Sequence, residues 1–380
     1  MPVMPTVRTF GNIAVGLMPW LPWEGRHGLD SLTPAALTRM LGRNVTGARV
    51  LDVTAERDRQ TTDRARLSLT WNEPGEEADL PTRLFAKGTP SLASSRMLNS
   101  AFGLCGTEVR FYRSAYADLA DITLKPYHAS IARGGRFLLV LESRDPTDTY
   151  FHQMRDTATP EHARAVVVAL ARMHAKFHES PRFTGDLAWV TRYSGRPGQA
   201  IAPRILRMAE KGFHKLYDVP DDVREIIRLH VAHAGELSAV WESLPSTMCH
   251  GDTHIGNTFR TTDGRSGLFD WQEVHRMNGL REIAYFIASA FTPEQRRAQE
   301  HELLAVYLDT LAAAGLGPAV PSPGQAFDLY RLMMLDAWRS VWASLALMPV
   351  QQDDLAEVLI ERHCGHLLDL DVVGAVRAAL

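Results

Sequence analysis

The sequence contains few cysteines, and their spacing suits neither cross-linking nor metal binding. Cys105, Cys249 and Cys364 form an odd, widely separated set without a Cys-x-x-Cys pair. This pattern indicates neither a disulfide framework nor a zinc knuckle. We therefore expect free thiols in a reducing compartment, and the cytoplasm as the location of the protein.

Long apolar runs and an excess of charge of one sign are also absent. No stretch reaches the roughly 20 apolar residues that are needed to span a bilayer. Residues 10–23 are fairly apolar, but Pro19 and Pro22 interrupt them and no basic start precedes an unbroken apolar core, so they make a poor signal peptide. A formal net charge of −3 gives no electrostatic reason to expect nucleic acid or an anionic membrane as a partner.

The part of the chain before residue 142 has the patterns of a small sheet. Residues 64–71 alternate polar and apolar side chains, as a half-buried antiparallel strand does. Thr33 and Pro34 are typical of a helix start and precede a short helix at residues 35–41. Further strands are predicted at 48–53, 82–87 and 136–141, loops at 56–63 and 72–81, and a helix at 106–116.

The remainder of the chain has mainly helical periodicity. Apolar residues recur at helical spacing in residues 160–178, 223–241, 327–347 and 354–370, with a short β-like segment at 248–269. The sequence thus predicts an α+β fold rather than regular strand–helix alternation. We divide it into an N-terminal lobe at 1–141, which includes an irregular extension at 1–30, and a helical C-terminal lobe at 142–380.

The most informative stretch is residues 249–259, followed by a turn at 262–264 and an apolar strand that ends at Asp270. Asp252 and Asn257 are five positions apart on a loop, which is the spacing of the base and the metal-binding Asn in a kinase catalytic loop. Phosphoryl transfer needs a carboxylate for the attacking hydroxyl and hard oxygen ligands for magnesium. Because a hairpin would return Asp270 beside Asn257, we expect Asp270 to be a second metal ligand.

These residues resemble a known group of enzymes. His250-Gly251-Asp252 with Asn257, followed by Phe269-Asp270-Trp271, is similar to the Brenner-type motif and metal-binding Asp of aminoglycoside phosphotransferases and choline-kinase-like enzymes. The Phe-Asp-Trp-Gln form, the long chain and residues 108–112 look most like the ecdysteroid-kinase-like branch. The resemblance covers roughly residues 45–300. It implies a bilobal protein-kinase-like fold, ATP, magnesium and a small-molecule hydroxyl as phosphoryl acceptor.

The resemblance also implies a role for each matching residue. Asp252 is the catalytic base, Asn257 and Asp270 bind the metal, and His250 supports the loop. Lys87 matches the strand lysine that contacts the α- and β-phosphates, and Glu108 matches the helix glutamate that pairs with this lysine. The adenine-binding hinge falls at Glu142 and Ser143, where backbone groups would make most of the contacts.

Two positions depart from the family pattern. The loop expected at residues 56–63 contains no glycine, although a loop that covers phosphates usually needs glycine for close backbone approach. In the segment that follows the metal-binding Asp, the family usually has a further Asp. This chain has Glu282 at that position, which we interpret as a structural residue.

Other interpretations of the same residues remain open. His250, Asp252 and His254, with His275, would suit a zinc site. An aminoglycoside-type resistance kinase and a nucleotide-binding pseudokinase with a regulatory role are alternatives to a kinase that acts on another alcohol. The Met- and Trp-rich segment 329–348 is typical of core packing, but as a pocket wall it would favour a partly apolar alcohol as acceptor.

Overall fold

The computed structural model describes residues 14, 27–59, 62–196, 198–199, 201–347 and 353–380. The chain divides into two compact units, one that ends at Asp148 and one that spans Thr149–Leu380. Most of the extension predicted at residues 1–30 lies outside the described residues.

The N-terminal unit is built on a five-stranded antiparallel sheet. Its strands are β1 (Val50–Arg59), β2 (Asp63–Trp71), β3 (Arg83–Gly88), β4 (Pro126–Ile131) and β5 (Phe137–Glu142), in the order β1-β2-β3-β5-β4. The helices of this unit are α1 (Pro34–Leu41), α2 (Glu73–Glu77), α3 (Ala93–Phe102) and α4 (Leu104–Ser114).

The predicted alternation in β2 is confirmed, and it builds one side of the core. Every second side chain of the strand is buried, ending with Trp71, in one cluster with Leu37 of α1, Leu84 of β3 and Val140 of β5. The predicted start of α1 is also confirmed, because the Thr33 hydroxyl accepts the N–H of Ala36 at 3.3 Å. Helix α1 thus covers the sheet with its apolar side.

Two loop predictions in this unit were wrong. Residues 56–59 continue β1 and residue 63 begins β2, so the expected loop is mostly a β-hairpin; Gln60 and Thr61 lie outside the described residues. In the register of the hairpin Glu56 lies opposite Arg66 and Asp58 opposite Arg64, and such pairs of opposite charge favour strand pairing. Residues 73–77 of the other predicted loop form α2.

The C-terminal unit is mainly helical. Its helices are α5 (Pro160–Phe177), α6 (Ala202–Leu216), α7 (Asp221–Ala232), α8 (Ala234–Ser243), α9 (Leu280–Ala290), α10 (Pro293–Leu311), α11 (Pro323–Leu347), α12 (Asp353–Asp369) and α13 (Val372–Ala379). The single helix predicted at 223–241 is therefore two helices, α7 and α8. The predicted α+β class, with a sheet first and helices after it, is confirmed.

Two small sheets in this unit carry the motif residues. Strands β6 (Thr149–Phe151), β8 (Thr258–Thr261) and β9 (Ser266–Leu268) form an antiparallel sheet in the order β6-β8-β9, and β7 (Thr247–Cys249) pairs with β10 (His275–Met277). The loop at residues 250–257 thus joins the two sheets.

The described helices were also compared with the thickness of a bilayer. None of them is by itself long and apolar enough to cross a membrane. The run Pro293–Ala319 and helix α11 satisfy the length and composition only as a pair, which is bent by 103°.

Candidate active site

The loop after β7 begins with a glycine that has no room for a side chain. Gly251 has φ of +91°, and a Cβ atom there would lie 2.2 Å from the backbone oxygen of Glu273. Any other residue would combine a left-handed backbone with a clash against main chain. Gly251 therefore fixes the path of the chain immediately before Asp252.

A buried carboxylate from α9 holds the same part of the loop. Glu282 is fully buried, and its side chain accepts the backbone N–H groups of His250 and Gly251, each at 2.8 Å. The His174 ring lies 3.2 Å from the same carboxylate. Burial alone would raise the pKa of Glu282, but His174 and the other donors lower it to about 2. The position thus holds an ionised carboxylate that anchors the loop.

His250 connects the loop to the end of the β8–β9 hairpin. Its Nδ1 accepts the N–H of Asp252 at 3.2 Å, so the ring proton is assigned to Nε2, which donates to the Phe269 carbonyl at 2.9 Å. Burial lowers the pKa of His250, which favours this neutral form. Both ring nitrogens are used in this way, so His250 does not contribute to the alternative zinc site at residues 250–254.

Among the described residues, one set of His, Cys, Asp or Glu side chains brings three ligand atoms within 4.8 Å of one another, and it consists of His174, Cys249 and Glu282. Burial raises the pKa of the Cys249 thiol well above its usual value. The Glu282 oxygens already accept backbone N–H groups. We therefore interpret this set as packing behind the loop.

The β8–β9 hairpin brings the backbone next to Asp270 beside that of Asn257. The backbone N–H of Phe269 donates to the carbonyl of Asn257 at 3.1 Å. Asp270 follows directly and adopts the left-handed conformation, with φ of 69° and ψ of 61°. A non-glycine residue in that conformation is uncommon, and such residues concentrate at functional sites.

Asp252 lies within hydrogen-bonding distance of three side chains. Asn257 Nδ2 donates to its Oδ2 at 3.1 Å and to its backbone oxygen at 2.8 Å. The Tyr285 hydroxyl donates to Oδ1 at 3.3 Å, and His254 Nε2 lies 3.4 Å from Oδ2. Although burial raises the pKa of Asp252, His254, His250 and Arg281 lower it below the ordinary value. The carboxylate is consequently ionised at neutral pH.

Sequence reasoning missed the partners that α9 supplies. Arg281 and Tyr285 are one helical turn apart; Arg281 donates to the Gly251 carbonyl at 2.8 Å, and Tyr285 reaches Asp252. The i, i+4 spacing was available in the sequence, but it does not tell which helix face meets the loop. His254 was considered only as a zinc ligand.

In the N-terminal unit, Lys87 and Glu108 form a buried ion pair. Lys87 lies near the end of β3, and its Nζ donates to Glu108 Oε1 of α4 at 2.8 Å. The two residues are 4% and 1% exposed, so the two charges compensate one another away from solvent.

Glu142 and Ser143 lie where the chain leaves β5. The N–H of Glu142 donates to the Lys125 carbonyl at 2.8 Å, and its Oε1 accepts the Lys125 N–H at 3.0 Å and Arg144 Nη2 at 3.0 Å. The Glu142 side chain thus fastens the neighbouring segment to the strand end.

Comparisons with known proteins show the fold and the family of this chain. The structure is similar to those of a protein assigned to the aminoglycoside phosphotransferases from Ralstonia eutropha (TM-score 0.53, 13% identity, 90% of this chain and 98% of that chain) and of choline kinase from Cryptosporidium parvum (0.52, 13%, 91% and 96%). It is also similar to Plasmodium vivax ethanolamine kinase (0.51, 13%, 93% and 87%). At these identities the likeness shows the fold, that of protein-kinase-like phosphotransferases.

No curated protein matches the sequence significantly. The model of the phosphotransferase enzyme family, however, matches residues 106–318, which is more than half of the chain and includes Glu108, Asp252, Asn257 and Asp270. The chain therefore belongs to the phosphotransferase enzyme family.

Proposed function

We propose that this protein is a kinase that transfers the γ-phosphoryl group of ATP to a hydroxyl of a small molecule. The observations that carry the proposal are the contact of Asn257 with Asp252 and the backbone bond from Phe269, the neighbour of Asp270, to Asn257. Family membership supports the reaction class, and the relatives named as choline and ethanolamine kinases act on small alcohols.

Asp252 is the proposed base. It is ionised at neutral pH, and its side chain is 25% exposed, so a hydroxyl can approach it. Asn257 and Tyr285 each bind one of its oxygens, which restrains the rotation of the carboxylate. A fixed carboxylate can orient the acceptor hydroxyl and accept its proton as the new O–P bond forms.

Asn257 and Asp270 would hold magnesium. The Asn257 NH₂ group is directed toward Asp252, which leaves its Oδ1 as the atom for a cation. An amide oxygen and a carboxylate are the hard donors that magnesium prefers. When bound, the ion neutralises charge on the phosphates during transfer. The Phe269 contacts to His250 and Asn257 keep the two donors in place.

The N-terminal lobe, residues 1–141, would bind the nucleotide. We assign Lys87 to the α- and β-phosphates, because its buried pair with Glu108 fixes the position of the ammonium group. Backbone groups at Glu142 and Ser143 would contact adenine. The glycine-free hairpin β1–β2 would cover the phosphates with side chains rather than with closely approaching backbone.

The ecdysteroid-kinase-like branch remains our assignment within the family, on the residues given above. The partly apolar alcohol that a pocket wall at residues 329–348 would favour gains no support from α11, because Met333, Met334, Trp338 and Trp342 are fully buried in the core. A panel of aminoglycosides tests the antibiotic-kinase alternative. ATP binding without turnover on a broad alcohol library would favour the pseudokinase alternative.

A metabolite extract incubated with labelled ATP tests the proposal directly. We expect a phosphorylated product with the wild-type protein and a rate at least about 10³-fold lower with Asp252→Ala or Asp270→Ala. Asp263→Asn, in the exposed hairpin turn, is the matched control and should retain the rate. Full ATP-dependent activity of Asp270→Ala would contradict the assignment.

A further inference from the structure

A chain of buried polar contacts runs from the catalytic loop into α11. Arg281 is 1% exposed, and each of its three nitrogens has a partner: Nη1 donates to the Gly251 carbonyl at 2.8 Å, Nε to Asp336 Oδ2 at 2.9 Å and Nη2 to Ser340 Oγ at 2.6 Å. Its guanidinium also lies over the ring of Tyr285, with Cζ 4.8 Å from the centroid. Arg281 is thus fully used in holding the loop.

Asp336 divides its carboxylate between two arginines. Its other oxygen, Oδ1, accepts Arg339 Nε at 2.8 Å, and the Asp336 side chain is fully buried. Burial alone would raise the pKa of Asp336, but the two guanidinium groups lower it below its ordinary value. This carboxylate is shared, so it compensates neither arginine completely.

Arg339 differs from Arg281 in keeping its outer nitrogens unused. Its guanidinium lies over the Tyr193 ring, with Cζ 5.5 Å from the centroid, and its side chain is 18% exposed. Within the described part of the chain, neither of its Nη atoms has a hydrogen-bond partner. Aspartate and tyrosine thus hold this guanidinium in one orientation, on a side chain that remains partly exposed.

The charge of Arg339 also affects a neighbouring arginine. Burial and the Arg339 guanidinium together lower the pKa of Arg196 to about 10. Arg196 pairs with Glu273, the residue whose backbone oxygen abuts Gly251. Arg196 thus lies beside the loop, and Arg339 is connected to the same loop through Asp336 and Arg281.

We propose that Arg339 binds a carboxylate of the acceptor, so that the acceptor is a hydroxy acid. The inference rests on the proposed function and narrows its substrate class. A planar guanidinium that is held in advance matches the two oxygens of a carboxylate and loses little side-chain freedom on binding. An amino alcohol or an aminoglycoside would bring a cation next to this guanidinium, and a neutral alcohol would leave its N–H groups without a charged partner.

Binding to the full-length protein without nucleotide tests the proposal. The probes are an ω-hydroxy acid, a diol and an amino alcohol of equal chain length, in four-, six- and eight-carbon sets, followed by ligand-observed NMR titration. We expect the wild type to prefer the hydroxy acid at one or more lengths. Arg339→Met should weaken that binding about tenfold or more, as the loss of charge-assisted hydrogen bonds does.

Three features keep the test decisive. In Arg339→Met, Asp336 keeps Arg281 as an ion-pair partner. Arg339→Lys keeps the charge without the planar guanidinium. Arg207→Met removes an exposed arginine of α6 and is the control, which should bind like the wild type. Equal binding of the three probe classes, no binding of any hydroxy acid, or an acid preference that survives in Arg339→Met would overturn the proposal. Because the binding test contains no nucleotide, its result does not depend on phosphoryl transfer. A hydroxy acid that binds but is not phosphorylated in a separate assay with ATP would count against the kinase proposal alone.

Discussion

Replacing Glu282 by glutamine tests whether the buried carboxylate holds the loop at residues 250–257. In the wild type the two carboxylate oxygens accept the N–H groups of His250 and Gly251 at 2.8 Å. The glutamine side chain has one oxygen and one NH₂ group. It can therefore accept one of these N–H groups and must present hydrogens to the other.

The size of the effect follows from these contacts. A hydrogen bond to a charged acceptor contributes about 1.5–3 kcal/mol, and a buried donor without an acceptor costs about 1–3 kcal/mol. We therefore expect Glu282→Gln to lower the free energy of unfolding by about 3–5 kcal/mol, which is also the range for breaking a buried charged pair. Glu282→Asp keeps the charge and should lose less.

Urea unfolding followed by tryptophan fluorescence and circular dichroism measures the change. Glu294→Gln, on the exposed side of α10, is the matched control and should lie within about 0.5 kcal/mol of the wild type. If Glu282→Gln unfolded within 1 kcal/mol of the wild type, at an unchanged slope, the loop would have to be held by other contacts. Glu282 would then be a packing residue only.

Three further predictions concern stability. Gly251→Ala should lower the free energy of unfolding by about 3 kcal/mol or more, since a Cβ would meet the Glu273 backbone oxygen; Gly264→Ala has a similar positive φ but open space, and should cost about 1–2 kcal/mol. Lys87→Met should cost about 3–5 kcal/mol because it removes the cation that pairs with the buried Glu108 carboxylate, and adding Glu108→Gln should recover part of that loss, whereas additive losses would refute the coupling. Three buried histidines stay neutral in the folded protein below pH 6.5, whereas in the unfolded chain they bind protons. Urea unfolding from pH 7 to 4 should therefore show the free energy of unfolding falling by up to about 1.4 kcal/mol per pH unit for each histidine. A flat pH profile would contradict this. These histidines are His162, His230 and His363, and burial lowers the pKa of each of them to about 3.

The strands and helices with regular periodicity were predictable from the sequence. The alternation in β2 and the start of α1 at Thr33 depend on neighbouring residues alone, and both are present. The length of the β1–β2 hairpin was not predictable in this way, because the charged residues at 56–63 are typical of a loop. Their cross-strand pairs, such as Glu56 with Arg66, appear only once the register is known.

The motif residues could likewise be predicted from local sequence, whereas the residues that hold the loop could not. Asp252, Asn257 and Asp270 are joined by short local segments, so their spacing alone predicts that they meet. Arg281 and Asp336 are 55 positions apart and belong to different helices.

The contact between Arg281 and Asp336 follows from the packing of α9 against α11, which the apolar pattern does not specify. A buried guanidinium needs a carboxylate, but the sequence offers many. The residues that hold the loop at 250–257 are therefore visible only in the structure. Arg339, held by the same carboxylate, could be recognised as a candidate acceptor-binding residue only after them.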